Sequence, residues 1–287
     1  MISTTRKYLS FIKFSHTIFA LPFALIGFSL AIYSGKGVFS WKIFALVVLC
    51  MVFARSAAMA FNRLIDRRYD ARNPRTVVRE IPSGLITPFA AFVMVLVCCA
   101  GFVISTYYIN TVCFYLSPVA LFVVLGYSYT KRFTVLCHLV LGAGLALAPI
   151  GAYVAVAGVF DLLPVIFSGV VFFWVSGFDI IYALQDDEFD RSQRLKSIPA
   201  YLGRKNALLL SQALHMLAAL LVAAGYFYGH FGWMYLAGAG AFIGLLIYQH
   251  TLVKPTDLSR VNLAFGTTNG IASVIFCVCV CADIFLV

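Results

Sequence analysis

Charged residues are scarce in this sequence. Only 11% of its 287 residues are Asp, Glu, Lys or Arg, while 62% are hydrophobic and the mean hydropathy is +0.96. Soluble globular domains carry about 25% charged residues, so a soluble fold is excluded. The apolar runs are about 20 residues long, enough for a helix to cross roughly 30 Å of hydrocarbon. Because these runs are continuous rather than alternating, we expect an all-α polytopic membrane protein and not a closed barrel.

Two further features are missing. No small-residue cleavage site follows the first apolar run, so we interpret that run as a retained span rather than a signal peptide. No C-x-x-C pair occurs among the eight cysteines, which are therefore predicted to pack as small hydrophobic residues. The five histidines are scattered along the chain and form no recognisable ligand pair.

Nine apolar runs are long enough to be membrane spans. They cover roughly 11 to 33, 41 to 64, 86 to 108, 111 to 130, 137 to 158, 162 to 185, 207 to 228, 231 to 252 and 262 to 285. The two long connections, 65 to 85 and 186 to 206, follow the second and the sixth span and so lie on the same face. Long loops over a compact bundle usually carry function, so we expect these two to cap the mouth of a cavity.

The positions of the cations test this topology independently. All but three of the 21 lysines and arginines fall on the face that carries the N-terminus and the two long connections. The exceptions are Lys36 and Lys42 on the other face and Arg55 inside a span. Because positively charged loops stay in the cytoplasm, the N-terminus and both long connections are predicted to be cytoplasmic. The formal net charge of +10 thus reflects topology and indicates no nucleic-acid partner.

The few acidic residues cluster at two span ends. In N-R-L-I-D-R-R-Y-D, a spacing of four residues points Asn62, Asp66 and Asp70 the same way on a helix. Asp186 and Asp190 repeat this spacing after the sixth span. Carboxylates this close repel one another unless a cation lies between them, and Mg²⁺ prefers such oxygen ligands. The sequence therefore predicts a metal-bound diphosphate held between two acidic helix ends.

Two charged residues lie deeper in the spans. Asp179 precedes Asp186 by two helical turns on the same face, and Arg55 stands in the same relation to Asn62. The two could form a buried structural salt bridge. Alternatively, Arg55 could meet an anionic group of a substrate while Asp179 accepts a hydrogen bond from a substrate hydroxyl. Both alternatives need cavity-facing side chains, and the sequence leaves them open.

Cations and tyrosines near the same face complete the candidate site. The cations suited to the oxygens of a diphosphate are Arg72, Arg79 and Lys131. The tyrosines close enough to offer a π-face to a cation are Tyr127, Tyr129 and Tyr182, with Tyr127 and Tyr182 assigned to the substrate cavity. The cations expected to serve topology alone include Arg67, Arg68, Arg75 and Arg132.

Further motifs accompany the acidic stretches. The first stretch is followed by A-R-N-P-R-T and R-E-I-P-S-G, the second is part of D-I-I-Y-A-L-Q-D-D-E-F-D, and Y-S-Y-T-K-R-F-T lies between the fourth and fifth spans. Together these motifs resemble those of the intramembrane aromatic prenyltransferases of the UbiA superfamily. The resemblance covers essentially the whole chain and is strongest to the 4-hydroxybenzoate polyprenyltransferases and their menaquinone-pathway relatives.

The resemblance implies a single transmembrane prenyltransferase domain over residues 1–287, with about nine helices around a central cavity that opens sideways to lipid. It implies that Mg²⁺ carrying a polyprenyl diphosphate binds Asn62, Asp66, Asp70, Asp186 and Asp190. Arg72, Arg79 and Lys131 would hold diphosphate oxygens, and the catalytic candidates Asp179 and Arg55 would sit near the aromatic acceptor.

The implied reaction is Mg²⁺-dependent transfer of the polyprenyl group to a ring carbon of a small aromatic acid. The expected acceptor is 4-hydroxybenzoate, in ubiquinone biosynthesis. The alternative is a dihydroxynaphthoate, in menaquinone biosynthesis. A bacterial inner membrane, with the active site facing the cytoplasm, is the expected location.

Two positions depart from the motifs of these relatives. Many of them have Asn-Asp where this chain has Asn62-Arg63, so one possible carboxylate is absent and Arg63 cannot bind metal. Their common R-P-L-P-S-G loop is R-E-I-P-S-G here, with Glu80 in the cap loop. The shape of the loop near Glu80 is therefore not predicted by the resemblance.

A cation transporter is the rival class of function, because it too can use paired carboxylates. Transporter sites of this kind lie near the bilayer midplane beside a broken helix. In this chain both acidic stretches lie at span ends, with arginines beside them. That placement favours a bound complex of an anion and a metal over a translocated cation.

Overall fold

The computed structural model describes residues 10–12 and 19–286, and these residues form helices joined by turns and loops. The helices are α1 (Leu21–Tyr33), α2 (Trp41–Asp70), α3 (Pro88–Ile109), α4 (Thr111–Thr130), α5 (Cys137–Ala157), α6 (Leu162–Ala183), α7 (Asp187–Ser192), α8 (Ile198–Gly229), α9 (Trp233–Leu252) and α10 (Asn269–Leu286). A 3₁₀ turn, Leu184–Asp186, joins α6 to α7, and a π-helical turn, Leu263–Thr268, leads into α10.

Seven helices of this described part are long and apolar enough to cross a membrane. The predicted all-α membrane fold is therefore confirmed. The count of nine spans stays a prediction, because α1 has only 13 residues and α9, with Gln249 and His250 near its end, is not among the seven. The beginning of the first predicted span and the cations Arg6, Lys7 and Lys13 lie outside the described residues.

Polar side chains fix where several helices begin. Ser40, Thr87, Asn110 and Ser197 each precede a helix and accept a hydrogen bond from a backbone N–H of its first turn. Such caps satisfy donors that have no partner inside the helix. These caps fix where the preceding loops end. Ser197 does so within the second long connection, residues 186 to 206, where α8 begins.

The helix that carries Asp179, α6, lies in the middle of the largest apolar cluster. Its Trp174 is fully buried and packs against Phe23 of α1 and Phe242 of α9, with ring centroids 5.2 and 5.6 Å apart. Small residues bring its neighbours close: a Cβ added at Gly142 of α5 would lie 2.2 Å from Ser176 Oγ. The position of α6 is therefore rigidly determined by packing.

Candidate active site

The loop after α2 reaches across to the end of α6. Asn73 Nδ2 donates to Asp186 Oδ1 over 2.9 Å, and Arg75 donates from Nε and Nη2 to the two oxygens of the same carboxylate. The two acidic stretches therefore lie at one rim of the bundle. Asn73 and Arg75, which the sequence analysis did not assign to the site, connect them.

The first acidic stretch has the predicted helical geometry. Asn62 Nδ2 donates to Asp66 Oδ2 over 3.2 Å, as expected for residues one turn apart. Asp66 also pairs with Arg132 at 3.0 Å, and Asp70 pairs with Arg79 at 2.8 Å. The second oxygen of Asp70 is buried and has no hydrogen-bond partner.

The second acidic stretch differs from the prediction. Because α6 ends at Ala183 and a 3₁₀ turn follows, Asp186 and Asp190 do not share one face of a continuous α-helix. Asp190 is completely buried, pairs with Lys131 at 2.7 Å and accepts from Ser197 Oγ at 2.8 Å. Asp187, the residue after Asp186, is also buried and is held by Arg204 at 2.9 Å.

Each of the four aspartates that were predicted to bind metal thus pairs with a different cation. The pairs are Asp66–Arg132, Asp70–Arg79, Asp186–Arg75 and Asp190–Lys131. Burial by itself would lower the pKa of Lys131, but the Asp190 carboxylate outweighs it and raises the pKa. The pKa of Arg75 is raised in the same way, because Asp186 and Tyr182 more than offset its burial. At the rim, each of these aspartates thus lies against an oppositely charged side chain.

No three His, Cys, Asp or Glu side chains of the described residues stand together as a ready metal site. The donors at the rim are nonetheless the oxygen ligands that hard divalent cations prefer. The buried, unpartnered oxygen of Asp70 can accept a further cationic partner. The predicted ligands therefore suit Mg²⁺ chemically, provided that their present partners move.

The structure corrects the roles assigned to two arginines. Arg75 and Arg132, predicted to serve topology alone, contact the acidic residues directly. Arg75 also donates to the Tyr182 hydroxyl over 2.9 Å, and Arg132 lies 5.1 Å above the Tyr129 ring. Two sequence features could have indicated these roles: the Asn-Pro turn before Arg75, and the position of Arg132 directly after Lys131.

Arg72, by contrast, contacts no carboxylate within the described part of the chain. Its Nη1 donates to the side-chain oxygen of Gln193, 3.3 Å away, in an exposed contact between the two cap loops. Its assignment to the diphosphate stays a prediction, and so does that of Arg79 and Lys131.

Below the rim lies an apolar cavity of about 320 Å³ between α2, α3, α4 and α5. Its walls include Met51, Phe102, Leu116, Val119 and Leu145. Leu116 and Val119 in its α4 wall are 39% and 59% exposed, so the cavity is open at this helix and not sealed inside the bundle. Arg55 and Tyr127 contribute polar groups to its wall. Tyr182, which the sequence analysis assigned to the substrate cavity, and Asp179, which was expected to face it, do not line this cavity.

Arg55 and Asp179 do not form an ion pair in this structure. The Nε of Arg55 is buried and has no hydrogen-bond partner, although Asp179 and Tyr127 are close enough to interact with it electrostatically. Asp179 Oδ2 instead lies 2.6 Å from Nδ1 of the buried His138. Sequence reasoning missed His138, because no local spacing links it to Asp179.

Arg63 and Glu80, the two departures from the motifs of the relatives, contact each other. Arg63 Nη1 lies 2.9 Å from Glu80 Oε2, and the two side chains are only 4% and 10% exposed. Ser10 Oγ donates to the other Glu80 oxygen over 2.8 Å. The carboxylate missing from the first motif is thus replaced by a buried ion pair that ties the first cap loop to α2.

Comparison with known proteins agrees with this architecture. The model of the UbiA prenyltransferase family matches residues 20–276. A 4-hydroxybenzoate octaprenyltransferase from Aliivibrio fischeri is 30% identical over 248 residues, which is 85% of this chain and 84% of that protein.

Two solved structures have the same fold. A UbiA homologue from Aeropyrum pernix K1, solved without ligand, superposes with a TM-score of 0.80 at 32% identity and covers 94% of this chain and 97% of its own. A homologue from Archaeoglobus fulgidus, bound to DMAPP and Mg²⁺, superposes with a TM-score of 0.72 at 20% identity over 98% of this chain and all of its own.

Proposed function

This chain belongs to the UbiA prenyltransferase family, and from that premise we propose that it transfers a polyprenyl group from polyprenyl diphosphate to a ring carbon of a small aromatic acid. The observation that carries the proposal is the meeting of two acidic stretches at one rim, directly above an apolar cavity that is open at α4. The rim suits a metal-bound diphosphate and the cavity suits a polyprenyl tail. Residues 1–287 form one prenyltransferase domain in this proposal.

Asn62, Asp66, Asp70, Asp186 and Asp190 would hold Mg²⁺. When bound, the metal neutralises charge on the leaving diphosphate. The oxygen donors at the rim support this assignment, as does the Archaeoglobus fulgidus homologue that binds DMAPP together with Mg²⁺. Arg79 and Lys131 bind the acids now and would turn to diphosphate oxygens once the acids bind metal, with Arg72 and Arg75 beside them.

The groups below the rim suit the chemistry of the transferred carbon. As the C–O bond to diphosphate breaks, the allylic carbon becomes positive and needs a dry, electron-rich wall. Tyr182, stacked on Phe265 with ring centroids 4.1 Å apart, and Tyr127 provide π-faces for it. The apolar lining of the cavity excludes water, which would otherwise capture the cation.

Arg55 and Asp179 suit the aromatic acceptor. The buried, unpartnered Nε of Arg55 favours the substrate-binding alternative over the structural salt bridge, because it can donate to the acceptor carboxylate. Asp179 accepts a hydrogen bond from the acceptor hydroxyl. The ring carbon ortho to that hydroxyl forms the new C–C bond, its hydrogen leaves as a proton, and Asp179 or diphosphate takes it up.

We take 4-hydroxybenzoate as the acceptor, because the relatives at about 30% identity are 4-hydroxybenzoate octaprenyltransferases. A dihydroxynaphthoate is the alternative, since Arg55 can meet the carboxylate of either acid. The excess of cations at the rim supports a site facing the cytoplasm, and the bacterial relatives support an inner-membrane location.

The test is product analysis by mass spectrometry. Purified protein in detergent receives Mg²⁺, a polyprenyl diphosphate and both acids together, with Asp66→Asn as the inactive control. We expect pyrophosphate release and prenylated 4-hydroxybenzoate. A prenylated naphthoate as the product would show that the dihydroxynaphthoate is the acceptor. Cation flux into liposomes without any turnover would favour the transporter instead.

A further inference from the structure

The two carboxylate oxygens of Asp179 differ in their surroundings. Its Oδ2 lies 2.6 Å from His138 Nδ1, whose side chain is 4% exposed, while the Asp179 side chain is 21% exposed. Within the described residues, Oδ1 of Asp179 has no hydrogen-bond partner and is not sealed from its surroundings. One oxygen is therefore fixed by the protein, and the other is free to accept a bond.

His138 is itself fixed at both ring nitrogens. The backbone N–H of Ile198 donates to its Nε2 over 3.4 Å. Because Nε2 accepts this bond, the ring proton of the neutral imidazole resides on Nδ1 and is donated to Asp179. A carboxylate bound in this way is fixed at one oxygen, and its plane cannot rotate freely.

The same anchor connects the two ends of the site. Ile198 directly follows Ser197, whose hydroxyl donates to Asp190 over 2.8 Å. A chain of contacts thus runs from Asp190 at the rim through Ser197, Ile198 and His138 to Asp179. The deeper carboxylate is held in a fixed relation to the acidic rim, although 41 residues separate His138 from Asp179 in sequence.

We propose that His138 is a positioning residue for the aromatic acceptor, which orients the free oxygen of Asp179 toward the acceptor hydroxyl. This inference rests on the proposed function. Without the imidazole, Asp179 has no donor on its inner side and its negative charge can turn toward Arg55 nearby. That pairing would occupy both groups that bind the aromatic acceptor, Arg55 and Asp179. Binding of the aromatic acceptor should therefore weaken, while binding of polyprenyl diphosphate stays unchanged.

The experiment compares His138→Leu, His138→Asn and His138→Gln in the pyrophosphate-release assay, with KM measured separately for 4-hydroxybenzoate and for polyprenyl diphosphate. Asparagine carries its amide nitrogen at the place of Nδ1 and can donate to Asp179. Leucine makes no hydrogen bond, and glutamine carries its amide one carbon further, near the place of Nε2 and away from Asp179. A hydrogen bond to a charged group contributes enough for roughly a tenfold or larger change. We expect the acceptor KM to rise about tenfold in the Leu and Gln variants, the donor KM to stay unchanged, and Asn to restore the acceptor KM.

His215→Leu is the matched control. Its imidazole is buried like that of His138, but contacts the Trp174 carbonyl and His250 instead of Asp179. It should lower thermal stability and leave both KM values as in the wild type.

Three outcomes would overturn the inference: an unchanged acceptor KM in the Leu and Gln variants, an equal rise in both KM values, or failure of Asn to rescue. Should Leu not fold, Asn and Gln still decide the matter. Absence of product from the wild type with either acid would instead refute the proposed function, and the inference with it.

Discussion

Replacing Glu80 with leucine would leave the Arg63 guanidinium buried without its partner. The pair is nearly sealed from solvent, with side chains 4% and 10% exposed, and Arg63 Nε has no hydrogen-bond partner to compensate. Removing one member of a buried pair costs about 3–5 kcal/mol, because the remaining charge is neither solvated nor paired. We therefore expect Glu80→Leu to lower the free energy of unfolding by that amount.

The double variant Arg63→Met with Glu80→Leu removes both charges of the pair and so tests whether the unpaired charge causes the loss of stability. Because neither charge remains, most of the lost stability should return, as is found when buried ion pairs are replaced by apolar residues. The assay is thermal unfolding of the purified proteins in detergent, followed as a double-mutant cycle. The first cap loop should also become more accessible to protease in Glu80→Leu, since Glu80 ties this loop to α2 and to Ser10.

Lys36 and Asp161 supply the control, since their pair has a similar length of 2.5 Å but side chains 45% and 23% exposed. Exposed pairs contribute little, so Lys36→Met should leave the unfolding temperature nearly unchanged. Equal effects of Glu80→Leu and Lys36→Met would refute the reasoning from burial. A double variant as unstable as Glu80→Leu would show that shape, rather than charge, holds the loop.

Three further predictions concern the rim. Asp66→Ala and Asp190→Asn should nearly abolish turnover while the protein stays folded, and a wild-type rate in either variant would remove that residue from the metal site. Arg79→Ala should mainly raise the KM for polyprenyl diphosphate, so an unchanged donor KM would contradict its role. Mg²⁺ alone should bind weakly, because each of the four rim aspartates is already paired with a cation. Calorimetry should show much tighter Mg²⁺ binding when the diphosphate is present. Equal Mg²⁺ affinity with and without the diphosphate would show that the diphosphate does not draw these cations away from the aspartates.

The parts of the site that follow from local spacing were predictable. The contact between Asn62 and Asp66 needs only a helix, and the apolar run before it provides that helix. The shared rim of the two acidic stretches follows from counting spans and from the location of cations. Neither step requires knowledge of how the helices pack.

The second acidic stretch shows where such spacing fails. Asp186 and Asp190 are four residues apart, but the chain leaves the α-helix at Ala183 and turns, so the two carboxylates meet different partners. What decides this is the loop after α2, which offers Asn73 and Arg75 to Asp186 from more than 100 residues away. A local pattern carries no information about such contacts.

His138 was missed for the same physical reason. A histidine inside an apolar run is usually a packed core residue, and only the distance to Asp179 distinguishes it. Arg63 and Glu80 were noticed as departures, but separately, because Glu80 comes 17 positions after Arg63 in the sequence, in a loop. Their contact explains why both substitutions can occur together in one chain.

The cations at the rim obey two requirements that a count of charges cannot separate. Positive residues keep a loop in the cytoplasm wherever they stand in it, whereas a buried carboxylate needs a cation within about 4 Å. Arg75, Arg79, Lys131 and Arg132 satisfy both, since each lies on the predicted cytoplasmic face and each pairs with an aspartate. This pairing balances the negative charge of the rim. It also implies that an incoming metal–diphosphate complex can be bound by an exchange of partners, in which the acids turn to the metal and the freed cations to the diphosphate, without leaving any charge at the rim unpaired.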